Sequence, residues 1–69
     1  MTRFTEKTIR SNGQWIKITR DNKKRTFHFA RGYKDVVSAH DRVTLSFKWI
    51  PNWTEAIERA NKTLAAYDY

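Results

Sequence analysis

The chain has 69 residues with 14 Lys and Arg against 7 Asp and Glu, a net charge of +7, and no cysteine. That length allows one domain, 1–69, with a core worth only about 3–5 kcal/mol. The missing thiols exclude disulfide staples, thiolate metal sites and cysteine catalysis, and they suit a reducing cytoplasm.

The N-terminus "MTRFTEKTIR" carries no apolar run, so the expectation is a complete small protein without a signal peptide. No stretch approaches the ~20 apolar residues of a membrane span, and no membrane partner is expected. The first strand is predicted at Phe4–Arg10. Asn12-Gly13 then signals a two-residue turn, because such a turn needs positive φ at both positions. It sets Arg10 opposite Trp15, Ile9 opposite Ile16 and Thr8 opposite Lys17. A second strand, Gln14–Asp21, runs to the charged break Asp21-Asn22-Lys23-Lys24. An even-numbered loop there sets Arg20 against Arg25, Ile18 against Phe27 and Ile16 against Phe29, in a third strand at Lys24–Arg31. Both turns place Ile9, Ile16, Ile18, Phe27 and Phe29 on one face, and a slip of one residue would scatter them.

Gly32 is expected to end the third strand. Residues 32–41 show no readable pattern. "RVTLSFKW" alternates again, with Val43, Leu45, Phe47 and Trp49 on one side and Arg42, Thr44, Ser46 and Lys48 on the other, which predicts a fourth strand. Pro51 stops it. Asn52 with Glu55 three residues on reads as a capping box. Trp53, Ala56, Ile57, Ala60, Leu64 and Tyr67 then form an apolar stripe on a helix at 53–66. Trp49 and Trp53 are expected in the core. The fold class is therefore α+β: an antiparallel β-meander of three to four strands, within 4–50, packed on one C-terminal amphipathic helix.

Charge is segregated along this plan. Residues 1–49 hold 12 basic and 4 acidic side chains, whereas residues 50–69 hold 2 and 3. The helix covers one side of the sheet only, so the other side stays wet. Its rows are predicted as Arg10–Trp15–Ala30, Thr8–Lys17–His28 and Glu6–Thr19–Thr26. Lys23, Lys24 and Arg25 in the turn, with Arg20 and Arg31 at the strand ends, border it. An indole among cations suits a polyanion. Lys and Arg neutralise phosphates, Arg bonds guanine edges, and Trp packs on sugar, thymine methyl or an unstacked base.

"GQWIKITRDNKKRTFHFARGY" resembles the arm-type DNA-binding domains of tyrosine-family phage integrases, and the plant ethylene-response-factor DNA-binding domain has the same architecture. "WTEAIERAN" corresponds to the helix behind the sheet. The resemblance covers Thr8 to Tyr33 and Asn52 to Leu64. It implies a three-stranded sheet inserted into the major groove, with Arg10, Trp15, Lys17 and His28 facing bases and Lys23, Lys24 and Arg25 near phosphates. Those families pass from the third strand almost directly into the helix, while here about twenty residues and a strand intervene. No recombinase domain is present, so integrase activity is not implied.

The expectation is a small basic nucleic-acid-binding protein of the regulatory or accessory kind found in phages and mobile elements, with duplex DNA ahead of RNA or single strands as partner. The alternative is a protein-binding modulator docking an acidic surface of a host or partner enzyme. His28 and His40 are isolated, so no metal or cofactor is expected. Glu55 and Glu58 are explained by the helix dipole, and no catalytic constellation is present. Unpaired edge strands leave a weak homodimer beside the monomer.

Overall fold

Asn12 and Gly13 hold φ values of 50° and 80°, the pair of left-handed conformations a tight hairpin turn requires. In the computed structural model they join β1, Phe4–Ser11, to β2, Gln14–Asp21, in the predicted register: Arg10 faces Trp15, Ile9 faces Ile16 and Thr8 faces Lys17. The structure describes residues 3–66, and of 37–41 the backbone alone; Tyr67 and the His40 side chain lie outside the described residues.

β3 spans Thr26–Tyr33 and β4 spans Val36–Ser46. The four strands form one antiparallel sheet in sequence order. The helix α1, Trp53–Ala66, has the predicted bounds. The Asn52 half of the expected capping box is present: Asn52 Oδ1 accepts from the Glu55 amide at 3.0 Å, and the Ala56 amide donates to the Asn52 carbonyl at 3.2 Å.

The apolar stripe of α1 lies against the β1–β2 half of the sheet. Ile16, Ile18, Phe27 and Phe29 from the sheet are buried with Ala56, Ala60 and Leu64 from the helix, and Ile9, Leu45, Phe47, Trp53 and Ile57 close around them. Phe27 and Ile18 are fully buried. Phe27 meets Trp53 edge-on, with ring centroids 5.2 Å apart, and Phe47 at 5.3 Å. Each such side chain contributes roughly 1.5–3 kcal/mol of burial, so a few of them hold a domain of this size.

Four expectations are corrected. First, β2 and β3 pair two residues away from the expected register: Ile18 faces Phe29, Arg20 faces Phe27 and Trp15 faces Gly32. The connection is Asn22–Arg25 rather than Asp21–Lys24, with Arg25 at φ 56°. A slip of two conserves parity, so the apolar set stays together. Second, Gly32 does not end β3. It lies buried inside that strand, between Trp15 and Val37. Third, β4 begins and ends earlier than expected, within the segment that lacked a pattern. The register shifts between Ala30 and Gly32, so a bulge interrupts the alternation there. Fourth, Trp49 is not core. The chain leaves the strand after Ser46, whose carbonyl accepts from the Trp49 and Ile50 amides at 3.0 and 3.1 Å. That turn buries Ile50 and leaves the Trp49 indole 79% exposed.

Candidate nucleic-acid interface

Among the described residues, no element covers the face opposite α1. Antiparallel pairing puts directly opposite residues on the same face, so its rows read Arg10–Trp15–Gly32, Thr8–Lys17–Ala30–Arg42 and Glu6–Thr19–His28–Thr44. The expected rows placed Ala30 opposite Trp15 and His28 opposite Lys17; each moves by the same two-residue slip. Arg10, Lys17 and Arg42 are exposed here. Lys17 Nζ stands 3.3 Å from Glu6 Oε1, an exposed pair that screens little of the positive field. His28 Nδ1 and the Thr44 hydroxyl are 2.8 Å apart across the two strands.

Trp15 stays on this face. Its six-membered ring lies across Gly32, so close that a Cβ there would fall 2.1 Å from the indole. Its Nε1 donates to the Lys34 carbonyl at 2.8 Å. The Lys34 amide in turn donates to the Gly13 carbonyl at 2.8 Å. The indole therefore clips the β3–β4 turn to the β1–β2 turn. It is half-buried, with its polar atom already satisfied, so it offers ring surface rather than a donor.

Arg20 and Arg31 are brought to the other side of the sheet. They occupy the parity of Ile18 and Phe29, and both are half-buried. The Arg20 guanidinium sits 5.0 Å from the Phe47 ring and 5.8 Å from Phe27, where it roofs the edge of the core. Their expected place beside the wet face is thus corrected: a strand end still has a side, and parity assigns these two to the helix. Arg42 was missed as a site residue. The alternation of "RVTLS" already set it opposite to Val43 and Leu45, which was the signal for it.

Lys23, Lys24 and Arg25 are exposed in the β2–β3 turn. Asp21 builds that turn. Its Oδ1 accepts from the Lys23 and Lys24 amides at 3.0 and 3.1 Å, and Arg3 reaches both carboxylate oxygens at 3.4 Å. The Lys24 amide is the chief cause that holds the Asp21 carboxyl below its ordinary value. Arg3 and the Lys23 amide add to it, and partial desolvation opposes them. A carboxyl with a depressed folded-state pKa contributes stability above its unfolded value, near 3.8, and loses it as pH falls through the folded value. Asp21→Asn keeps the accepting oxygen and removes the titration. Thermal melts from pH 6 to pH 3 should therefore fall less steeply for the variant than for the parent chain; parallel profiles would refute this role.

Comparison with known proteins finds no matching family model and no similar curated protein or solved structure. No helix among the described residues is long and apolar enough to cross a membrane.

Proposed function

We infer that this protein binds nucleic acid, with duplex DNA contacted by the uncovered sheet face. The observation that carries the reading is the spacing of cations on that face. Arg10 lies on edge strand β1 and Arg42 on edge strand β4. Three strand spacings across the sheet and an offset of two residues along it separate them, about 16 Å, somewhat more than the ~12 Å width of the B-DNA major groove. Between them the central strands carry Trp15, Lys17, Thr19, Thr26, His28 and Ala30, of which Thr19, Thr26 and Ala30 are short and leave room for base edges. In this pose Arg10 and Arg42 meet the two phosphate walls. Lys17 and His28 face the bases, and Lys23 and Lys24 follow one backbone past the strand ends. The likeness to integrase arm domains and ethylene-response-factor domains supports the same pose, with β4 as an addition to it.

Arg10, Lys23, Lys24, Arg25 and Arg42 make five candidate phosphate contacts. They give an expected slope of about −4.5 in log affinity against log salt on duplex DNA. A salt-titrated binding assay with duplex DNA, single-stranded DNA and RNA as competitors tests this. Duplex preference with that slope supports the reading. No duplex binding at about 50 mM salt ends it, and preference for single strands moves it to stacking on Trp15.

A second reading, a modulator that docks a protein, is favoured by Trp49. An indole 79% exposed is of the residue type that anchors protein interfaces. It predicts a pull-down partner that survives nuclease treatment and is lost in Trp49→Ala.

A further inference from the structure

The uncovered face is not the only cationic ground on the molecule. At the β2–β3 turn end, on the helix side of the sheet, a recess of about 420 Å³ is lined by Lys24, Arg25, Ser46, Phe47 and Lys48. We propose that this recess binds a phosphate group, held by Lys24, Arg25 and Lys48 above the Phe47 ring.

Its lining contains three cations and no acid. The carboxylate nearest in sequence, Asp21, is engaged by Arg3 and by the turn amides. The described ion pairs include none of Lys24, Arg25 and Lys48. The walls are also fixed. The Phe47 amide donates to the Arg25 carbonyl at 3.1 Å, which ties the β2–β3 turn to the end of β4. The Arg25 guanidinium lies 5.9 Å from the Phe47 ring, and Arg20 lies 5.0 Å from the same ring. Arg25 holds φ 56°, a conformation that glycine or asparagine takes more readily. A long cation at such a position, packed on the Phe47 ring and with no acid partner among the described residues, suits an anion that comes from outside the chain.

Lys24 lines a second, smaller recess as well, which opens on the uncovered face beside Asp21, Thr26, His28 and Thr44. It therefore stands on the divide between the two. A polyanion lying on that face meets Lys24 first and reaches the helix-side recess by rounding the strand end. The link to nucleic acid rests on the function proposed above; the affinity for phosphate does not.

The test separates the two. Inorganic pyrophosphate is titrated into the ¹⁵N-labelled protein at low salt, with acetate as the carboxylate control. Saturable shifts confined to the amides of Lys24, Arg25, Phe47 and Lys48, absent with acetate, are expected. Arg25→Gly suits the local φ and Lys48→Gln is exposed, so the double variant keeps its fold, which unshifted amides elsewhere will verify. It should weaken pyrophosphate about tenfold or more and lower the duplex salt slope by about 1. A 5′-phosphorylated duplex that binds more tightly than its 5′-hydroxyl twin assigns the recess to a terminal phosphate. Equal binding with the same loss of slope assigns it to a backbone phosphate, and both outcomes carry the proposal. Shifts scattered over all surface cations, acetate acting like pyrophosphate, or an unchanged double variant overturn it. Pyrophosphate saturation without duplex binding leaves the recess standing and removes the sheet-face function. Duplex binding indifferent to the double variant does the reverse.

Discussion

Gly32→Ala should destabilise the protein by about 2–3 kcal/mol, more than half of what a core this small provides. The added Cβ would lie 2.1 and 2.4 Å from two atoms of the Trp15 ring and 2.6 Å from the Val36 carbonyl oxygen. The indole can swing away, but only by giving up its hydrogen bond to the Lys34 carbonyl and its seat on the sheet. The Val36 oxygen belongs to the backbone of β4, where the sheet holds it. Both contacts must yield, and they yield at the point where the β1–β2 and β3–β4 turns are joined. For a domain of this length the change corresponds to a melting temperature lower by about 10–20 °C. Thermal denaturation followed by circular dichroism measures it. An unchanged midpoint would mean that the indole does not rest on Gly32.

That glycine also marks the limit of what the sequence discloses. Period-two alternation identifies the face of every residue in β1, β2 and β3, because burial of Ile9, Ile16, Ile18, Phe27 and Phe29 fixes parity. Parity is blind to a slip of two. Pairing Ile18 with Phe27 or with Phe29 buries the same residues, so hydrophobic pattern alone does not choose between them. The choice is made by turn chemistry: Asp21 accepts the Lys23 and Lys24 amides, and Arg25 takes the left-handed position that closes the loop. With the register two residues away, Gly32 reads as a strand end. In the true register it is the only side-chain-free place on which Trp15 can lie. The helix was legible to its ends, because Asn52 and the 3.6-residue stripe are both local signals.

Trp49 was misread for a related reason. Alternation continues through "LSFKW" although the strand stops at Ser46. Phe47 still reaches the core from the turn, and the next core position goes to Ile50, just before Pro51. Residues 36–41 gave no pattern because the bulge opposite Ala30 and Gly32 breaks the period that a pattern needs. At the candidate site, parity sufficed for Arg10, Trp15, Lys17 and His28. It would also have returned Arg42, and it moves Arg20 and Arg31 to the helix side.

The largest functional effect is expected from reversing the three cations of the uncovered face together, in Arg10→Glu, Lys17→Glu and Arg42→Glu. Relative to 1 M salt, each phosphate contact is worth a factor of about eight at 0.1 M through counterion release. Losing the two at Arg10 and Arg42 costs about 60-fold in duplex affinity, and the lost Lys17 base contact and the new carboxylates add to that. Stability should move little, within about 1 kcal/mol. All three side chains are exposed, and among the described residues the ion pair lost is the exposed one between Lys17 and Glu6 at 3.3 Å. The comparison that gives the result its meaning is Trp49→Ala, which alters the most exposed apolar side chain and none of the uncovered face. A triple variant that folds, melts near the parent temperature and no longer shifts a labelled duplex, beside a Trp49→Ala that does, assigns binding to the sheet face. A triple variant that binds the duplex as the parent does would remove that face from the function.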